Sequence, residues 1–162
     1  ALVASASFVA LLLAASVAIV GLIAWNAVQL ARLHPYENLY YNQLVGGLPG
    51  AAGRYATDYW VSIMPEAVER LEAYVAKLDR RGNHPDRYKV AVCGERLPFE
   101  KEANSRLEWT DDWTKAEFFI APTHMNCDRI LNGYEITKIT RLGTRIGVVK
   151  DRRALLTSEV RR

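Results

Sequence analysis

No charged side chain occurs in this chain before Arg32. All 21 basic and 18 acidic residues fall in residues 32–162, so the whole-chain figures, half hydrophobic with a net charge of +3, average two unlike parts. No basic head precedes the apolar stretch, as it would in a secretory signal, whose apolar region runs only about 7–15 residues. No basic stripe runs through the charged part, which argues against nucleic acid as a partner. Cysteine is nearly absent, with two residues, Cys93 and Cys127, and histidine is limited to three. Metal sites built from paired clusters are excluded by that count and spacing. No Gly-Lys-Ser/Thr phosphate-loop ending, no serine elbow and no carboxylate pair at a recognisable spacing is found.

What is there begins with an uncharged run from Ala1 to Ala31. Between Phe8 and Trp25 only Ser16 interrupts its apolar character. Roughly 20 helical residues cross a hydrocarbon core of about 30 Å. Ten of the residues from Phe8 to Ile23 are Leu, Ile, Val or Phe, which favours insertion by roughly 3–6 kcal/mol. The run is expected to be a transmembrane helix, with residues 1–33 as its domain. Trp25 sits where an interfacial aromatic belongs. Ala10, Ala14, Ala15, Ala18 and Gly21 would let another helix approach closely. With nothing ionisable in it, the span anchors or packs and lines no ion path. The chain starts with Ala rather than Met, so processing or a missing start is expected.

Residues 34–60, HPYENLYYNQLVGGLPGAAGRYATDYW, join the apolar and the charged parts. They hold five of the eight tyrosines, four glycines and two prolines. His34-Pro35 resets the helix, since a residue before proline leaves the α region. Pro35 would open a short helix over Tyr36–Val45, ended by Gly46-Gly47. Its Tyr36, Tyr40 and Tyr41 suit either a headgroup-level position or packing against the soluble domain. The glycines of GGLPGAAGRY are read as allowing tight turns and close backbone approach. Arg54, Asp58, Tyr59 and Trp60 form either a sugar- or lipid-facing ledge or a structural clamp, and the clamp is the favoured reading.

Pro65–Arg81 has helical apolar spacing at Val68, Leu71, Val75 and Leu78. YKVAVC (88–93) and EFFIA (117–121) read as buried strands. Residues 99–109 have ambiguous helical character, and WTDDWTK opens with Thr110 or Asp111 as a helix cap; its tryptophans are read as core anchors. Tyr134–Leu142 and Thr144–Asp151 form a hairpin joined at Gly143. The expected fold is α/β: one N-terminal transmembrane helix, then a small α/β sandwich over residues 61–153 with a mixed sheet and a C-terminal hairpin. The first two strands are parallel because a helical crossover separates them. Residues 154–162 would be a basic tail, solvated or turned toward anionic headgroups or an acidic partner. His124, Cys127 and Asp128 form the densest polar group, a metal or Cys/His candidate whose favoured reading is a hydrogen-bonded loop after a strand. His34 and His84, both before proline, are read as structural.

The strings HPYENLYYNQLVGG, GAAGRY and DYW, followed by a helix opening at Pro65, and later EFFIAPTHMNCD with the final hairpin, resemble the region after the last transmembrane helix of bacterial glycosyltransferase family 39, the dolichyl-phosphate-mannose mannosyltransferase-like membrane proteins. The resemblance covers most of residues 20–155. It implies a periplasmic domain on a polytopic enzyme that uses polyprenyl-phosphate sugars. That family's catalytic acidic residues lie in its first extracytoplasmic loop, which this chain lacks, so no catalytic residue carries over. If the strands that precede Cys93 and Cys127 are neighbours, their sulfurs can meet, and an oxidising periplasm then makes a disulfide the expected state. Two buried free thiols are the alternative. Arg32 at the C-terminal end of the span points the other way, toward a cytoplasmic domain; the resemblance is given more weight.

The expected function is a non-catalytic, single-pass accessory or structural subunit of a larger membrane complex, with respiratory and photosynthetic assemblies as host classes. Its partners are the lipid bilayer and other membrane subunits, and no cofactor is expected. It would sit in the bacterial inner membrane with a periplasmic domain. The alternatives are the C-terminal part of a family-39-like glycosyltransferase and a periplasmic sugar- or lipid-binding module.

Overall fold

A computed structural model describes residues 2–80, 82 and 85–159 of the chain. The chain forms two compact units, Ala1–Tyr40 and Tyr41–Arg162, so the expected 34–60 segment is divided between them.

In the first unit, helix α1 runs over Leu2–Leu33. Its segment Phe8–Leu33 is long and apolar enough to cross a membrane. Leu11, Val17, Val20, Leu22 and Ile23 are all more than 60% exposed, so the apolar surface of its middle part is open, whereas Gln29 and Leu33 near its end are buried. Two of its polar side chains are satisfied within the helix: Ser16 Oγ donates to the Leu12 carbonyl at 2.9 Å and Asn26 Nδ2 to the Leu22 carbonyl at 2.8 Å, the arrangement a lipid environment demands. The helix stops at His34-Pro35. No new helix opens at Pro35. Instead the Tyr36 amide donates to the Leu33 carbonyl at 2.8 Å and a single 3-10 turn, Glu37–Leu39, follows. The Tyr40 hydroxyl donates back to Asn26 Oδ1. The expected helix Tyr36–Val45 is therefore absent: two 3-10 turns, Glu37–Leu39 and Gln43–Val45, stand in its place. Tyr36, which the sequence suited either to the membrane surface or to packing, is only 1% exposed. Trp25 is exposed, whereas Tyr40 and Tyr41 are half-buried.

In the second unit the turn Gln43–Val45 leads into helix α2, Gly47–Ala51. Gly50 is required there: a Cβ on it would overlap the Val45 carbonyl oxygen, both fixed by backbone. Tyr41 stacks on Tyr55 at 5.9 Å and donates to the Ala56 carbonyl at 2.5 Å, holding this loop. Helix α3, Met64–Asp79, buries Met64, Ala67, Val68, Leu71 and Val75 as its spacing requires, with Pro65 in the first turn. The expected end at Arg81 and the His84 loop lie outside the described residues.

Five strands form one mixed sheet in the order β2-β1-β3-β5-β4. They are β1 Tyr88–Val92, β2 Leu107–Trp109, β3 Phe118–Pro122, β4 Tyr134–Arg141 and β5 Thr144–Asp151. β1 pairs in parallel with both β2 and β3, while β3–β5 and β5–β4 are antiparallel. The β4–β5 hairpin turns on Leu142 and Gly143, both with positive φ (49° and 75°), the primed geometry that matches strand twist. Helix α4, Arg96–Glu102, carries the β1–β2 crossover. The ambiguous 99–109 segment thus resolves into the end of a helix and the strand β2. WTDDWTK is a turn rather than a helix, because Asp112 Oδ1 accepts from the Thr114 and Lys115 amides and closes the chain locally.

One sheet face carries α3 and α4. Phe118 meets Tyr74 and Tyr88 edge-on at 6.1 and 5.4 Å, Arg141 pairs with Glu66 of α3 at 2.6 Å, and the Asn104 amide at the end of α4 donates to Glu72 of α3 at 2.8 Å. The other face is smaller and packs Ala91, Ala116, Phe119, Ala121, Cys127 and Val148, with Trp113 and Leu131 over them. The expected tail instead forms helix α5, Arg153–Glu159; Val160–Arg162 lie outside the described residues. The basic residues that lead into it are engaged by the domain. Lys150 and Arg152 are buried, and they donate to backbone carbonyls of Asp128 and Leu131, and of Asn132, Trp113 and Ala116. Burial pushes the Lys150 ammonium below its ordinary value. Arg153 pairs with Asp151 at 2.6 Å.

Candidate functional site

The three parallel strands end on one side of the second unit. The chain leaving β1 turns through Cys93-Gly94 into α4 and toward β2, whereas the chain leaving β3 turns through residues 123–129 toward β4. Adjacent parallel strands whose connections depart in opposite directions create a crevice, the usual ligand position in open α/β sheets. Here the divergence is bridged. Cys93 and Cys127 form a disulfide with Cα atoms 6.0 Å apart.

Beside this bridge lies a groove of about 610 Å³. One wall is Ala52–Thr57, from the loop after α2. The other is the turn Thr123–Arg129 after β3, and Arg145 at the start of β5 completes it. The turn is a 3-10 segment with two consecutive left-handed residues, Met125 (φ 52°) and Asn126 (φ 58°), which pushes Met125 into solvent at 79% exposure. Left-handed non-glycine residues are strained and concentrate at functional sites. All five among the described residues, Asp58, Val61, Met125, Asn126 and Leu142, lie in loops at this end of the sheet.

The groove is cationic. Arg145 Nη2 lies 3.2 Å from Asp128 Oδ2 and 3.0 Å from Glu135 Oε1. Burial pushes the Glu135 carboxyl up, but Lys138 and Arg145 beside it hold it below its ordinary value. Two polar atoms of the wall residues, His124 Nδ1 and Arg145 Nε, are buried without a hydrogen-bond partner among the described residues. Tyr59 meets the His124 ring edge-on at 5.6 Å and Trp60 at 5.2 Å.

The sequence-selected residues do not converge as one ledge. Arg54 lines the groove. Tyr59 and Trp60 are exposed, and Trp60 lines a separate apolar depression of about 350 Å³ with Met64, Pro65, Leu97 and Pro98. Asp58 turns inward: at 1% exposure, its carboxylate accepts from the Ser62 amide at 2.6 Å and the Ile63 amide at 3.2 Å, anchoring the entry to α3. Its carboxylate is thus engaged by backbone amides below the surface. Cys127 is committed to the disulfide, so it is no thiolate ligand or nucleophile, and no cluster of three metal-ligating side chains occurs among the described residues. Sequence reasoning missed Arg129 and the meeting of Arg54 with the His124 turn. The signal for the turn was available in its position after a parallel strand, but the approach of residues 52–57 was not. No family model, no curated protein and no solved structure matches the chain.

Proposed function

We propose that the chain is a single-pass, membrane-anchored accessory or structural subunit of a larger membrane assembly, exposing a non-catalytic α/β domain on the extracytoplasmic side of a bacterial inner membrane. The observation that carries this reading is the coupling of two features. Phe8–Leu33 is a helix long and apolar enough to cross a membrane, with its large apolar side chains from Phe8 to Leu30 exposed, and the unit that follows it is closed by a disulfide. The first favours a bilayer and the second an oxidising compartment. Together they outweigh Arg32, a single charge that favours a cytoplasmic domain. The small residues of α1 supply a surface for a neighbouring helix.

A reporter fused after residue 162, with protease protection of intact cells and spheroplasts, tests the topology. Extracytoplasmic activity and cleavage in spheroplasts are expected; a protected, cytoplasmic C-terminus overturns the reading. Purification from detergent is expected to retain a stable membrane partner, and a free monomer counts against the subunit role.

A second reading rests on the strings that resemble the glycosyltransferase family. GAAGRY supplies the groove wall around Arg54, and DYW supplies the Asp58 anchor with the exposed Tyr59 and Trp60. On that reading these residues form the terminal domain of a longer polyprenyl-phosphate-sugar-dependent enzyme whose chemistry lies elsewhere. The coding sequence upstream discriminates the two: further spans and an acidic first loop support the enzyme.

A further inference from the structure

The groove beside the Cys93–Cys127 bridge has more positive charge than its own structure uses. Three arginines line it, Arg54, Arg129 and Arg145, against one carboxylate, Asp128. Asp128 and Glu135 are both taken by Arg145. The side chains of Arg54 and Arg129 have no ion pair or hydrogen bond among the described residues. These two cations come from segments about 75 residues apart in sequence, so the fold, not local composition, places them on one cavity.

We infer that this groove binds a phosphate-bearing ligand. Guanidinium groups present planar, bidentate donors matched to phosphate oxygens. The groove lies past the carboxyl end of β3, the end of the strands where open α/β sheets place their ligands. Its wall residues His124 and Arg145 each carry a buried polar atom without a partner, which marks a polar surface incompletely satisfied by the protein alone. The strained Met125-Asn126 turn and the packing of His124 against Tyr59 hold the wall in place. Tyr55 and Met125, exposed at 54% and 79%, add apolar surface to the same lining. A lipid headgroup and free phosphate share the chemistry, and the apolar lining suits the headgroup.

The full chain in a neutral detergent is melted while titrated with inorganic phosphate in one arm and with phosphatidylglycerol in mixed micelles in the other. Diacylglycerol is the uncharged lipid control. Binding to the folded state raises the melting midpoint with the logarithm of ligand concentration. The double variant Arg54→Ala/Arg129→Ala, at two exposed positions, is expected to need a roughly ten-fold or greater ligand concentration for the same rise. Arg87→Ala/Lys101→Ala removes two charges elsewhere on the surface and is expected to leave the response unchanged. A response to phosphatidylglycerol at far lower concentration than to phosphate identifies a headgroup; equal responses identify free phosphate. No response in either arm, or one of the same size in the Arg54/Arg129 variant, overturns the inference.

Discussion

Cys93, one residue past β1, is bonded to Cys127 in the turn past β3. The bond therefore joins the two connections that leave adjacent parallel strands in opposite directions. It fixes one side of the cationic groove and ties the turn carrying His124, Met125 and Asn126 to the sheet.

Removing that bond is expected to destabilise the domain through the unfolded chain. With a sequence separation of 34 residues, the chain-entropy estimate is about 3–4 kcal/mol. Cys93→Ser, or reductant on the native protein, should lower the melting midpoint by roughly 10–15 °C. Thermal unfolding followed by circular dichroism checks this, and an unchanged midpoint on reduction contradicts it.

Asp58 is placed to matter more than its loop position implies. Its buried carboxylate holds the Ser62 and Ile63 amides, and its own φ is +48°. Asp58→Ala strands both amides and puts alanine in a left-handed conformation, costing about 2–3 kcal/mol. Asp58→Asn keeps an acceptor and tolerates the conformation, so its loss is expected to be smaller. Denaturant unfolding of the pair ranks them.

Gly50 forbids a side chain. Gly50→Ala drives a methyl group into the Val45 carbonyl and requires the backbone of α2 to move, at about 2–3 kcal/mol. Gly53→Ala meets nothing nearby and is strained only by its φ of +75°, so it should cost less. If the two variants unfold at the same denaturant concentration, the close approach at Gly50 is not as described.

Acid is expected to weaken the contact between α3 and the end of β5. Burial pushes the Asp151 carboxyl up, but hydrogen bonds from Arg153, with a further one from Tyr74, outweigh it and hold it below its ordinary value. A folded-state pKa below the unfolded one gives stability that is present above the unfolded value and is lost as pH falls through the folded one. The loss should begin as pH drops below about 4 and should shrink in Arg153→Ala. Unfolding midpoints measured between neutral pH and pH 2 test the sign and the variant.

The elements legible in the sequence were those whose residues state their own environment. The uncharged run of α1, the apolar stripe of α3 and the runs YKVAVC and EFFIA each carry a period or a composition that local physics enforces. The parallel pairing of β1 with β3 followed from the crossover between them. Strand β2 has only three residues, Leu107–Trp109, too few to show a period, and exists because β1 offers it an edge. WTDDWTK had the composition of a helix cap, but Asp112 closes a turn first.

The site divided along the same line. The sequence by itself determined an apolar span, an α/β domain after it, and two cysteines whose bonding depended only on whether two strands were neighbours. Tertiary structure alone decided which charges remained available. Lys150, Arg152 and Arg153 are consumed by carbonyls and by Asp151, whereas Arg54 and Arg129, distant in sequence and undistinguished in composition, are left facing one groove. The reason is that a charge count is additive along the chain, while the pairing of charges depends on distances that exist only after the sheet has brought its loops together.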